Sequence, residues 1–370
     1  MRAETLLDII DSDFYVGVPD SQLRAVSDCL MSRYGMDLKH HIIAANEGNC
    51  AGIAAGYYLS TGKIPVVYMQ NSGEGNIINP VTSLFNESVY GIPCIFIIGW
   101  RGEPGVKDEP QHVFQGKVTL KLLADLDIES YVIDVSTSDD DVRVIMRKYR
   151  IDLMNGKQVA FVVRKGALSC DTPVSYANDY TMNREDVIAK ILEFASDDII
   201  VSTTGKASRE VFELREKNKQ SHSFDFLTVG SMGHASSIAL GIAINKPDKR
   251  VWCIDGDGAV LMHMGAMPVI GSKHLSNLVH IVLDNESYET VGGMPAVAPD
   301  FVKIAEACGY DRYIRVDTFD ELTDVLGSIT TEEASWFVDI KCSLFSRKDL
   351  GRPTISPIEN KHNFMEILSK

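Results

Sequence analysis

The run Asp255-Gly256-Asp257-Gly258-Ala259 and the pair Asp284-Asn285 contain the residue types from which a site for a hard cation and a phosphate can be built. Each follows an apolar run, Val251 to Ile254 in the first case and Leu278 to Leu283 in the second. In open α/β sheets, ligands collect beyond the carboxyl ends of strands. Gly256 and Gly258 let the backbone turn sharply and approach a phosphate closely. A helix opening at Ala259 would aim free N–H groups at that anion. Asp257 offers a carboxylate oxygen, and Asn285, 28 positions later, offers an amide oxygen from the next strand end. Joined by a backbone carbonyl and phosphate oxygens, these make a Mg²⁺ coordination set. A glycine turn and an asparagine turn are each common alone; their spacing, with a strand before each, favours the metal reading. Thr203-Thr204-Gly205 also follows a strand and starts a helix. Thr204 and Gly205 are candidate diphosphate contacts, with an ordinary N-cap as the rival reading.

Such residues need strands to carry them. Runs at 66–69, 92–99, 159–163, 199–202, 251–254, 278–283 and 336–340 are apolar at nearly every position, Ser202, His280 and Asp339 being the polar exceptions, as parallel strands covered on both faces are. Between them the spacing predicts helices at 48–60, 76–90, 138–155, 184–196, 235–245 and 318–329. Strand followed by helix, repeated, means an α/β architecture of doubly wound parallel sheets. The polar stretch 169–183 lacks periodicity, and Asn183 caps a new helix with Asp186 in its first turn. Domains at 1–168 and 184–370 follow, joined by a linker at 169–183.

Composition narrows the function classes. The chain has 370 residues, 45% hydrophobic and 24% charged, with a net charge of −15. An acidic surface disfavours nucleic acid or anionic membrane as the main partner. No segment reaches the roughly 18 apolar residues of a membrane span, and the amino terminus lacks the apolar core of a signal peptide. Seven scattered cysteines without a CxxC pair suit reduced thiols in a cytoplasmic protein.

The Gly-Asp-Gly motif with its downstream Asn resembles the signature of thiamine-diphosphate enzymes. The resemblance implies thiamine diphosphate held through Mg²⁺ by Asp257, Asn285 and the carbonyl of Ser287. It departs from the usual Asn-Asn in having Asp284 before Asn285. In Gly230-Ser231-Met232-Gly233 the resemblance makes Met232 the prop that bends the cofactor and gives the Gly230 carbonyl a bond from its amino group. Glu47, before the small-residue stretch 48–57, takes the place of the family's activating glutamate, whose carboxyl group serves the cofactor's ring nitrogen. In such enzymes this glutamate and the diphosphate site come from different subunits, which implies a homodimer or larger homo-oligomer with active sites at the subunit interface.

The chain has no room for a middle domain, and it resembles the phosphonopyruvate and sulfopyruvate decarboxylases along nearly its whole length. The telling stretches are 17–23, 70–76, 101–112, 203–210 and 291–293. The implied reaction is loss of CO₂ from a small 2-keto acid, 3-phosphonopyruvate in the first reading and sulfopyruvate in the second. Arg101, Lys107 and Lys206 are candidates to grip the substrate's anions. Asp20, Ser21 and the loop histidine His112 are candidates for orienting the keto acid or relaying a proton.

Overall fold

The computed structural model describes residues 1–370 apart from the side chain of Thr290. The chain divides into two units, Met1–Ser175 with Val291–Met294, and Tyr176–Thr290 with Pro295–Lys370. The division falls inside the polar stretch 169–183.

In the first unit six strands pair in parallel: β1 (Tyr15–Gly17), β2 (His41–Ile43), β3 (Val66–Gln70), β4 (Cys94–Gly99), β5 (Glu129–Ile133) and β6 (Gln158–Val163). Their order across the sheet is β2-β1-β3-β4-β6-β5. In the second unit β7 (Ile199–Ser202), β8 (Asp225–Leu227), β9 (Val251–Gly256) and β10 (Leu278–Asp284) are followed by the short pieces β11 (Ser287–Tyr288) and β12 (Met294–Pro295). β13 (Arg312–Val316) and β14 (Trp336–Lys341) complete a second parallel sheet in the order β13-β14-β10-β9-β7-β8. Numbered along the chain and read from the other edge, this is the order of the first sheet. The two units repeat one topology that the sequence does not display as a repeat.

The central strands β4, β6, β10 and β14 are buried at every residue. Their largely apolar sequences, interrupted by Gln158, His280 and Asp339, are what a strand between two helical layers requires. Trp252, Ile254, Val279, Ile281 and Val338 point to one face and pack with Val187, Ile191, Val211 and Leu326 from the covering helices. The edge strands differ. β13 is exposed at its first four residues and β5 is only partly covered, so neither shows an apolar run.

The helix expected at 76–90 is shorter. Helix Glu74–Pro80 gives way to a π-helical turn at Val81–Phe85. Pro80 has no N–H to continue the ladder, and the extra residue of a π turn absorbs the break. Helices at Arg24–Tyr34, Pro110–Asp125, Phe301–Cys308 and Pro357–Leu368 were not among those expected, whereas the helix start read after Gly205 is the helix Lys206–Lys217. Among the described residues no helix is long and apolar enough to cross a membrane. All seven cysteines are free thiols.

Candidate functional site

In the second unit β9 ends at Gly256 and Asp257 opens the helix Asp257–Met262. The helix start expected at Ala259 therefore lies two residues earlier, because the Asp257 carboxylate closes the turn by accepting the Gly258 N–H at 2.8 Å. The other Asp257 oxygen, Oδ2, accepts the Ser287 N–H at 3.1 Å, and Asn285 Oδ1 accepts the same N–H at 3.0 Å. One donor shared by two acceptors brings a carboxylate and an amide oxygen to the same point. Both residues are buried. Burial pushes the Asp257 carboxyl well above its usual range, and Asp284 beside it adds to the effect. A buried acid next to a second acid is stabilised by a cation. The hard oxygen donors fit Mg²⁺.

Asp284, the departure from Asn-Asn, is turned to Lys341 at the tip of β14. Its Oδ2 accepts from Lys341 Nζ at 2.5 Å, and its Oδ1 accepts the Glu286 N–H at 3.0 Å. Lys341 also reaches Glu286 at 3.2 Å and Asp339 at 3.7 Å. The extra carboxylate thus has its own buried cation. Asn178 Nδ2 ties the neighbouring strand ends by donating to the carbonyls of Asn285 and Cys342 at 3.0 and 3.1 Å.

Two of the expected cofactor turns, Gly230–Gly233 and Gly256–Gly258, meet at Gly258. A Cβ there would lie 3.0 Å from Tyr288 Cε1 and 3.4 Å from Met232 Cε. Met232 therefore packs on the Gly256–Gly258 turn, with Gly230 two residues before it. Gly205 has φ 96° and ψ −135°, open to glycine and strained for other residues, and it delivers the chain into helix Lys206–Lys217. Thr204 Oγ1 donates to the Val229 carbonyl at 2.8 Å, so its hydroxyl braces the turn that precedes Met232. Lys206 Nζ pairs with Glu289 at 2.9 Å, and Glu289 is shared with Arg184. Burial opposes the ionised form, yet Arg184, Ser346 and Lys206 hold Glu289 down at about 2. The Lys206 charge is engaged inside its own unit.

In the first unit β2 ends at Ile43, short of Glu47. Asn46 is extended and accepts the Asn49 N–H at 2.9 Å, which makes Glu47 the first residue of helix Glu47–Thr61. Glu47 is 5% exposed, and burial raises its pKa. Asn76 Nδ2 holds its Oε2 at 2.6 Å. Gly73 leaves it room: a Cβ there would come within 2.4 Å of Glu47 Cγ. The result is an oriented, buried carboxyl group able to hold a proton.

Asp20 is fully buried, and burial pushes its pKa up. Its oxygens accept from Gln70 Nε2 at 2.7 Å and from the N–H groups of Gln22 and Leu23. Ser21 is exposed, and its Oγ accepts from Arg101 Nη1 at 3.2 Å. Arg101 also grips Asp108 through Nε at 2.8 Å and Nη2 at 2.5 Å. Against the effect of burial, that grip holds Asp108 well below the usual carboxylate range. Lys107 is exposed on the same loop. The loop is shorter than expected, because Pro110, with φ already set for a helix, begins helix Pro110–Asp125. His112 lies in its first turn, where burial and then Arg101 lower its pKa and favour the neutral ring.

The chain matches the thiamine pyrophosphate enzyme N-terminal TPP binding domain over residues 3–123 and the C-terminal TPP binding domain over residues 203–340. It is 33% identical to the phosphonopyruvate decarboxylase of Streptomyces viridochromogenes, over 95% of this chain and 90% of that one. The chain belongs to this family of thiamine-pyrophosphate-dependent decarboxylases. The phosphonopyruvate decarboxylase of Streptomyces hygroscopicus is 31% identical over 96% of this chain and 90% of its own. A sulfopyruvate decarboxylase of Methanosarcina acetivorans is 26% identical over 87% and 86%.

Within this family architecture, the sequence had not singled out Asn76, Lys341 or Asn178. Lys341 could have been found in the same way as Asp257, since it too stands at the end of a largely apolar run, Trp336–Ile340, broken only by Asp339. Asn178 sits in a stretch without periodicity, and nothing local marks it.

Proposed function

We propose that the chain decarboxylates 3-phosphonopyruvate to phosphonoacetaldehyde and CO₂, using thiamine diphosphate (thiamine pyrophosphate) bound through Mg²⁺ as a homo-oligomer. The observation that carries the reading is the convergence of Asp257 Oδ2 and Asn285 Oδ1 on the single N–H of Ser287. Asp257, Asn285 and the Ser287 carbonyl hold the metal, and Gly256, Gly258 and the N–H of Ala259 line the diphosphate. Met232 and the Gly230 carbonyl seat the rest of the cofactor, with Thr204 and Gly205 shaping the wall.

Thiamine diphosphate supplies the electron sink that takes up the bonding pair as the substrate's carboxylate leaves as CO₂. Glu47 holds a proton at its carboxyl and shares it with the aminopyrimidine ring nitrogen; burial and Asn76 prepare it for that task. In this reading Asp20 and His112 hold or deliver the proton that completes the aldehyde. Ser21 orients the keto acid, and Arg101 fixes Ser21.

The test is incubation with Mg²⁺, thiamine diphosphate and phosphonopyruvate, with CO₂ and aldehyde measured, and sulfopyruvate run beside it. Faster turnover of sulfopyruvate would shift the reading to the sulfonate, which the Methanosarcina relative favours as second choice. Glu47→Gln is expected to lower turnover by roughly 10²–10⁴-fold with the cofactor still bound. Asp257→Ala is expected to abolish Mg²⁺-dependent cofactor binding in calorimetry. Wild-type affinity in that variant refutes the ligand assignment.

A further inference from the structure

A cavity of about 450 Å³ opens beyond the carboxyl ends of β1, β4 and β6 in the first unit. It is of small-molecule size and lies where a doubly wound sheet places its ligands. Four cations line it, Arg24, Arg101, Lys107 and Lys165, against two acids, Glu103 and Asp108. Both acids are already claimed, Asp108 by Arg101 and Glu103 by Arg164. Arg24 leans on Asp28 at 3.4 Å. Lys107 and Lys165 have no ion-pair partner among the described residues. In a chain with a net charge of −15, a cavity with two unanswered ammonium groups is suited to an anion. A second cavity, of about 350 Å³ at the opposite strand ends, has no such surplus. There Lys63 is paired with Asp13 and Arg150 with Asp11.

A run of contacts links the cationic cavity to Glu47 of the proposed reaction centre. Ser21 lines it and follows Asp20, which is held by Gln70. Gln70 in turn accepts from Ser72, whose neighbour Gly73 lies against Glu47.

We propose that this cavity seats the phosphonate of the substrate, with Lys107 and Lys165 as its charge partners and Ser21 Oγ as its neutral contact. Arg101, neutralised by Asp108, is a positioning residue acting through Ser21. Two ammonium groups match a doubly charged phosphonate better than a singly charged sulfonate. The assignment rests on the decarboxylase reading, and its test separates the two.

Full-length wild type, Lys107→Ala, Lys165→Ala and Lys165→Arg, each with Mg²⁺ and thiamine diphosphate, are assayed with phosphonopyruvate and titrated calorimetrically with methylphosphonate. Each alanine variant is expected to raise KM and weaken methylphosphonate binding by about tenfold, the scale of one lost charged hydrogen bond. Turnover at saturation stays within about twofold, since these side chains bind and do not react. Lys165→Arg restores most of the loss. Unchanged KM and unchanged methylphosphonate affinity in both alanine variants overturn the seat. No turnover by wild type, joined to methylphosphonate binding that the alanine variants lose, overturns the substrate reading and leaves the anion seat standing.

Discussion

Gly73 and Glu47 depend on each other at the level of single atoms. Gly73 has an ordinary helical backbone, so its lack of a side chain serves space and not conformation. Gly73→Ala would drive a Cβ to within 2.4 Å of Glu47 Cγ, and the carboxyl would have to rotate off Asn76. The expected outcome is a folded protein, destabilised by about 1–3 kcal/mol, with turnover reduced toward that of Glu47→Gln. Normal turnover in Gly73→Ala would mean that the Glu47–Asn76 bond is dispensable. The proposed metal ligands could be picked out in the sequence because Asp257 and Asn285 sit at the tips of largely apolar runs. The Gly73 contact was not, because it depends on how one loop lies over a helix start.

Between elements, the junction of helices Glu74–Pro80 and Pro110–Asp125 encloses a carboxyl group that no proposed step uses. Glu74 is fully buried; burial is the main cause of a pKa of about 8, and Gln115 and Thr119 only partly oppose it. Gln115 Nε2 donates to it at 3.3 Å. A carboxyl raised from 4.5 in this way costs nothing while protonated in both folded and unfolded chains. It destabilises the fold progressively as pH climbs from about 4.5 toward about 8. Wild-type melting temperature is therefore expected to fall between pH 5 and pH 8 by more than that of Glu74→Gln, which mimics the protonated acid. The difference at pH 8 is on the order of a few kcal/mol. Parallel pH profiles for the two proteins would show that Glu74 is ionised in the fold. The central strands could be read from their composition. β13 could not, because an exposed edge strand such as Arg312–Val316 shows no apolar run. Nor could the halt of the 76–90 helix be placed, since Pro80 is answered by a π turn and not by a plain stop.

For the whole molecule, the proposed assembly has one protomer lend Glu47 to a metal seat built by Asp257 of another. Mixing inactive Glu47→Gln with inactive Asp257→Ala protein and allowing subunits to exchange tests this. A dimer with sites shared between protomers regains about a quarter of wild-type turnover, since half the dimers are mixed and each has one intact site. Sites completed within one chain regain none. The repeated strand order of the two sheets was hidden from the sequence, because topology is a matter of which strands neighbour each other and not of which residues they contain.

That arrangement also bears on how the protein comes into being. All six strands of the first sheet have been synthesised by Val163, before the first strand of the second begins at Ile199. Neither sheet waits for a strand from the far end of the chain. The first can close on the ribosome while the second is still being translated, so each half-made product exposes at most one unfinished sheet to its neighbours.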